Sequence, residues 1–180
     1  EAGWRALRAH YFATVSLVDS MLGKITSALE KVGLTDDTIV IFTSDHGDML
    51  GDHGMLEKRS FYEESARVPL LMAIPSLTKT KREIGDSFSH IDLVPTILDL
   101  LGEDIPGHLH GQSRLPVLEG KATLEDNEVI VEWNGIREGH FDERRITPEI
   151  DRMNHSMWRS IVCKRWKLNL CTGDQNELFD

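Results

Sequence analysis

Apolar residues recur at Tyr11, Val15, Val18, Leu22, Ile25, Leu29 and Val32, in alternating steps of four and three. That repeat puts them on one face of a long helix, and Gly33 is placed to stop it. The expectation is a helix packed on a sheet. After the turn Thr35-Asp36-Asp37, the run Thr38–Thr43 is apolar on both faces, as strands buried on both sides are in parallel sheets. Val68–Ile74, ended by Pro75, reads as a second such strand. Asp92 is expected to cap a helix running through Leu101, with Gly102 as its stop. Residues 103–127 read as irregular. Beyond them, Val129–Glu132 reads as a strand, and Ser160–Cys163 and Trp166–Leu170 as a hairpin. Helix, short turn and buried strand define α/β architecture. We expect part of a mixed, mostly parallel sheet flanked by helices, followed by a small antiparallel C-terminal sheet. The expected boundary separates 1–127 from 128–180.

Composition narrows the function classes. The 180 residues carry a formal charge of −10. That argues against a general nucleic-acid or anionic-membrane binder, because both require a basic face. No run of eighteen apolar residues suggests a membrane span. Cys163 and Cys171 make no disulfide framework; a turn at Lys164-Arg165 would keep them apart, as plain packing residues. Both ends, Glu1-Ala2-Gly3-Trp4 and Glu177-Leu178-Phe179-Asp180, read as cuts from something longer.

Candidate chemistry gathers in Phe42–Lys58. Ser44-Asp45-His46-Gly47 follows the carboxyl end of a strand, the edge where open α/β sheets bind ligands. A carboxylate beside an imidazole is a common part of a divalent-metal site. The plain alternative makes Asp45 a turn cap and His46 a packed histidine. Gly47 lets the backbone turn or approach a ligand closely. Lys58 follows the glycine-rich Gly51-Asp52-His53-Gly54. An ammonium there would bind an anionic oxygen and stabilise charge developing on a leaving group, or it is simply an exposed lysine. His53 is a candidate proton shuttle or substrate contact, or a loop residue. Asp45 and His46 supply only two ligands, and a metal needs more.

The order strand–Ser-Asp-His-Gly, Gly-Asp-His-Gly, Lys, Phe-Tyr-Glu-Glu-Ser and Arg-Val-Pro-Leu resembles the C-terminal half of a sulfatase, in the alkaline phosphatase superfamily. "SHIDLVPTILDLLG", "GQSRLPVLEG", "RWKLNL" and "NELFD" resemble later segments of that family. The likeness runs from about Tyr11 to the end and is weakest over 134–156. It implies hydrolysis of a sulfate ester by a formylglycine made from cysteine in Cys-x-Pro-Ser-Arg, with a divalent cation as Lewis acid and template. By that resemblance Asp45 and His46 match the second pair of metal ligands. Lys58 matches the catalytic, sulfate-contacting lysine, and His53 a frequent substrate-side position. Arg67 matches a position before the Val-Pro strand and is expected to tie loops together.

The chain also departs from that pattern. Cys163 precedes Lys-Arg and Cys171 precedes Thr-Gly, so neither lies in the nucleophile motif. The first metal-binding aspartate pair and the other catalytic histidine and lysine find no match, and His10, at the start of the long helix, is not promoted to that role. The expectation is one wall of a site, inactive alone, with formylglycine in a missing N-terminal half. The resemblance implies Ca2+; the imidazole of His46 keeps Mn2+ or Zn2+ open, and Mg2+ as well. Expected partners are a sulfated small molecule or sugar and the missing half itself, with self-association of the fragment through exposed edges. Relatives in periplasmic, secreted or lysosomal locations leave the compartment open. A phosphate or phosphonate ester hydrolase is the alternative within the superfamily, and a non-catalytic binding or structural short form the alternative outside it. Glu63 and Glu64 are candidate ion-pair partners of Lys58. Trp133, Arg137, His140, Arg144, Arg145, Arg152 and His155 are candidates for a substrate-specific wall, with arginines suited to carboxylate or sulfate, or for a solvated loop.

Overall fold

The amphipathic repeat does form a helix, and a longer one than its apolar face requires: α1 spans Ala2–Lys31. It ends where Gly33 takes φ 74°. There the Leu34 amide donates to the Leu29 carbonyl at 2.9 Å and the Gly33 amide to Glu30 at 3.1 Å, the paired bonds of a glycine-stopped helix. The computed structural model describes residues 2–58, 60–77, 79–135 and 156–180. They divide into two compact units, Glu1–Arg82 and Glu83–Asp180.

In the first unit, strands β1 (Val40–Thr43) and β2 (Leu70–Ala73) pair antiparallel, with Val40 opposite Ala73 and Thr43 opposite Leu70. The short helix α2 (Glu63–Ala66) precedes β2. Two expectations change here. The strands do not run parallel to each other, and they are not buried on both faces: β1 is half-buried throughout and Leu71 of β2 is 62% exposed. No described residue of α1 is buried, and Val15, Ile25 and Val32 of its stripe are 49%, 58% and 66% exposed. A helix packed on a sheet is therefore not what the described residues form. Apolar content says that a face favours cover; it does not say which segment provides it. The buried apolar side chains of this unit are Met49 and Ile74.

The second unit begins with a 3-10 turn, His90–Asp92, leading into helix α3 (Leu93–Leu100). Gly102, at φ 73°, stops it as expected. Asp92 does not cap it. Its carboxylate instead accepts from the Gln112 amide at 2.9 Å and from Arg114 Nε at 2.7 Å. Arg114 also donates to Asn127 Oδ1, and Asn127 Nδ2 to the Ser87 carbonyl, both at 2.8 Å. Thr96 Oγ1 donates to the Asp92 carbonyl at 2.6 Å and accepts the Arg114 amide at 2.9 Å. This network, more than helix propensity, orders the segment 103–127. Within it lies only one short helix, α4 (Leu115–Leu118), with Pro116 in its first turn.

Strands β3 (Val129–Trp133), β4 (Trp158–Val162), β5 (Lys167–Cys171) and β6 (Glu177–Phe179) form an antiparallel sheet in that order. The α/β class and the small C-terminal antiparallel sheet are as expected. Ile130, Ile161, Leu168 and Leu178 are in register across all four strands. On the alternate positions Ser160 and Asn169 are fully buried and bonded at 2.6 Å. Cys163 lies in the β4–β5 turn and Cys171 opposite Trp158; both thiols are free. Arg137, His140, Arg144, Arg145, Arg152 and His155 lie outside the described residues. Among those described, no helix is long and apolar enough to cross a membrane.

Candidate functional site

Residues 44–65 leave the carboxyl end of β1 and fold back on themselves before β2. Gly47 makes the fold-back possible. Its amide donates to the Ser65 carbonyl at 2.8 Å, and a Cβ added there would lie 1.9 Å from the Glu64 carbonyl oxygen. Only glycine lets the two backbones approach this closely. Further along, the Met49 amide donates to the Glu57 carbonyl at 2.7 Å. Buried Met49 anchors that crossing, with the Ser60 hydroxyl 3.1 Å from its sulfur.

Asp45 and His46 sit at the head of this loop. Asp45 Oδ2 lies 3.5 Å from His46 Nε2, with side-chain exposures of 85% and 38%. His46 Nδ1 lies 2.8 Å from the Gly47 carbonyl oxygen. A carbonyl oxygen only accepts, so Nδ1 carries the hydrogen, and in the neutral ring Nε2 presents its lone pair beside Asp45. The other carboxylate oxygen, Oδ1, accepts the His46 amide at 3.0 Å. That amide, first among the causes, holds the Asp45 carboxyl below its ordinary value, with the Ser44 hydroxyl adding a smaller contribution. The donor chemistry fits a divalent cation. One hard oxygen and one imidazole nitrogen 3.5 Å apart have the separation of two ligands sharing an ion at about 2.0–2.6 Å. Among the described residues no group of three or more His, Cys, Asp or Glu side chains completes such a shell.

Lys58 is half-buried at the far end of the loop, beside the Glu57–Met49 bond. Neither acidic candidate forms an ion pair with it among the described residues. Glu63 instead lies 3.8 Å from Arg67, one helical turn on. Arg67, with its side chain 81% exposed, forms no other ion pair among the described residues. His53 lies in the 3-10 turn Asp52–Gly54, at φ 54°. Its ring stacks on Tyr62 with centroids 3.8 Å apart and planes within 4°. Leu50 and Glu57 also take positive φ, 48° and 63°. Such left-handed non-glycine residues cost on the order of 1–3 kcal/mol each and cluster at functional sites.

Sequence reasoning missed three participants. Trp4, Arg8 and Tyr62 all touch the Gly51–Gly54 turn. Trp4 and Arg8 lie before the first residue of the periodic stripe. Their spacing of four was the available signal that they share a helical face.

One loop at the end of β1 thus carries an oxygen–nitrogen donor pair at its head and a lysine further along. The chain belongs to the sulfatase family: its family model, described as Sulfatase, matches residues 2–103. The match begins before Tyr11, so it includes Trp4 and Arg8. An N-acetylglucosamine-6-O-sulfatase of Bacteroides thetaiotaomicron is 40% identical over 111 residues, covering 62% of this chain and 20% of that protein. A solved structure in complex with its substrate D-glucosamine-2-N,6-O-disulfate superposes with a TM-score of 0.78 and 30% identity, over 94% of this chain and 33% of the other. A phosphonate monoester hydrolase of Agrobacterium radiobacter gives a TM-score of 0.73 and 33% identity, over 96% and 34%. The chain thus spans between a fifth and about a third of the length of these relatives.

Proposed function

We propose that these residues form one wall of a sulfuric ester hydrolase whose nucleophile, a formylglycine by family resemblance, comes from residues outside this chain. In this reading Asp45 Oδ2 and His46 Nε2 hold a divalent cation. Calcium is favoured by family resemblance, and Mn2+, Mg2+ or Zn2+ are compatible with the mixed donor pair. The observation that carries the reading is the 3.5 Å donor pair with the imidazole hydrogen tied to the Gly47 carbonyl. Bound, the cation would polarise the ester oxygens. Lys58 presents an ammonium to an anionic sulfate oxygen and stabilises charge that builds up during bond breaking. His53 contacts the substrate from the returning loop. The likeness to a glucosamine disulfate complex supports a sulfated sugar or small molecule as substrate.

The test is turnover of an aryl sulfate by the native gene product, together with its intact mass and metal content. Lys58→Ala is expected to lower kcat on the order of 10²–10³-fold, as removal of one charge-stabilising donor does, while metal content stays at the wild-type level. Asp45→Ala is expected to lower both. Full activity in both variants would sink the reading. The 180-residue chain alone is expected to be inactive and to bind Ca2+ weakly, because two ligands do not cage a hard cation. The likeness to a phosphonate monoester hydrolase favours a second reading, in which the same wall serves phosphonate or phosphate esters. Comparing kcat/KM for matched aryl sulfate and aryl phosphonate monoesters separates the two.

A further inference from the structure

The turn that carries His53 is held both by its own backbone bonds and from outside the loop. Arg8 Nε donates to the Leu50 carbonyl at 2.9 Å, and a second guanidinium nitrogen reaches Asp52 Oδ1 at 2.6 Å. One planar fork therefore spans the start of the turn. Trp4, one helical turn earlier in α1, lies against Gly51, where an added Cβ would sit 2.5 Å from the indole ring. On the other side the Tyr62 ring covers the His53 ring at 3.8 Å. Between these contacts the backbone is left-handed at Leu50, Gly51, His53 and Gly54, with φ 48°, 93°, 54° and 72°. Left-handed non-glycine residues persist only where their surroundings over-determine them.

The contacts do little for a core. Asp52, His53 and Gly54 are exposed, and the Arg8 and Asp52 side chains are 46% and 48% exposed. The turn's own shape is set by backbone bonds from the Gly51 amide to Met55, Asp52 to Met49, Gly54 to Gly51 and Met55 to Asp52, at 2.9, 2.7, 3.1 and 3.0 Å. The outside contacts fix how that turn, with its exposed imidazole, sits against α1. We propose that Arg8, with Trp4 beside it, is a positioning residue. It locks the Leu50–Gly54 turn onto helix α1 and so presents the His53 ring, backed by Tyr62, to the substrate. This rests on the reading of His53 as a substrate contact. A helix holds the spacing of Trp4 and Arg8 fixed, so the two side chains meet the turn together.

The experiment uses the native gene product labelled with [13Cε1]-histidine, the His53 signal being identified by its loss in His53→Asn. Stacking on Tyr62 displaces that signal by ring current, and Tyr62→Phe is expected to keep the displacement. Arg8→Ala is expected to remove much of it and to lower kcat/KM for an aryl sulfate roughly ten- to a hundredfold, the scale of a misplacement of up to about 1 Å. Arg8→Lys is expected to recover only part of both, because an ammonium cannot form the two-pronged contact. Asp52→Asn, which keeps the Leu50 bond, is expected to fall between wild type and Arg8→Ala, and it serves as the second variant should Arg8→Ala fail to fold. An unmoved His53 signal with wild-type kcat/KM in these variants would overturn the proposal. A native protein without sulfatase turnover, but with a His53 signal that moves in Arg8→Ala, would overturn the sulfatase reading and support the clamp.

Discussion

Two aspartates in this chain each stand beside a cationic or basic side chain, and they are built in opposite ways. Asp92 in the second unit has a side chain only 4% exposed, and Arg114 meets it at 2.7 Å. Its remaining contact goes to the Gln112 amide, and Arg114 carries the connection on to Asn127 and Ser87. Asp45 in the first unit is 85% exposed, and its partners are its own neighbours, Ser44 and His46. A buried ion pair whose bonds are all satisfied is closed: it can order a segment, but it has nothing to offer a ligand. An exposed pair fixed only by local bonds contributes little to stability and keeps a carboxylate oxygen and an imidazole nitrogen available. Proximity of acid and base is common to both; burial and outward connections separate scaffold from candidate site.

The largest test of that contrast is Arg114→Ala, which strands the Asp92 carboxylate in the interior. It is expected to cost about 3–5 kcal/mol, the usual result of removing one partner of a buried pair, read as a lowered denaturant midpoint. The paired change Asp92→Asn with Arg114→Met should cost less than the sum of the single changes; additivity would mean the two side chains do not act as a unit. Next comes Gly47→Ala. A Cβ 1.9 Å from a backbone oxygen forces the two loop legs apart, at about 1–3 kcal/mol, and metal binding by the native protein should weaken with it. The smallest stability effect belongs to Asp45→Ala. With metal removed by chelation, its melting temperature should match wild type, while metal binding is lost when the ion is restored; a large drop in the metal-free protein would place Asp45 with Asp92 among the scaffold residues.

The acid side of the pH profile sharpens the same comparison. The His46 amide holds the Asp45 carboxyl below its ordinary value. For a carboxyl depressed in the folded state, the favourable interaction is complete above the ordinary range and is lost as pH falls through the depressed folded value. A carboxyl-carbon NMR titration should therefore place the Asp45 midpoint below the reference of about 3.9. A midpoint at or above it would remove the amide bond from the description.

Much of this molecule was legible from the chain alone. The four-three apolar spacing fixed α1 and its glycine stop, because a helix repeats every 3.6 residues whatever it later packs against. Strands β3 to β5 and the antiparallel character of their sheet followed from short apolar runs separated by turns; the strand order and the addition of β6 did not. Ser44-Asp45-His46-Gly47 and Lys58 stood out because ligand chemistry restricts residue type. Other features depended on contacts between residues far apart in sequence, which local patterns do not encode. The antiparallel pairing of β1 with β2 is one, since an apolar run carries no direction. Asp92 is another: before a helix it reads as a cap, yet Arg114, 22 residues on, takes its carboxylate. Arg8 and Asp52, 44 residues apart, are a third. Sequence determined the long helix, α3 and the main strands, though not the one-turn helices α2 and α4 or the place of β6 at the sheet edge, and which side chains can do chemistry. Only the folded chain decided which aspartate is closed by an arginine and which is left open, because that depends on what the backbone brings within 3 Å and how much water remains around it.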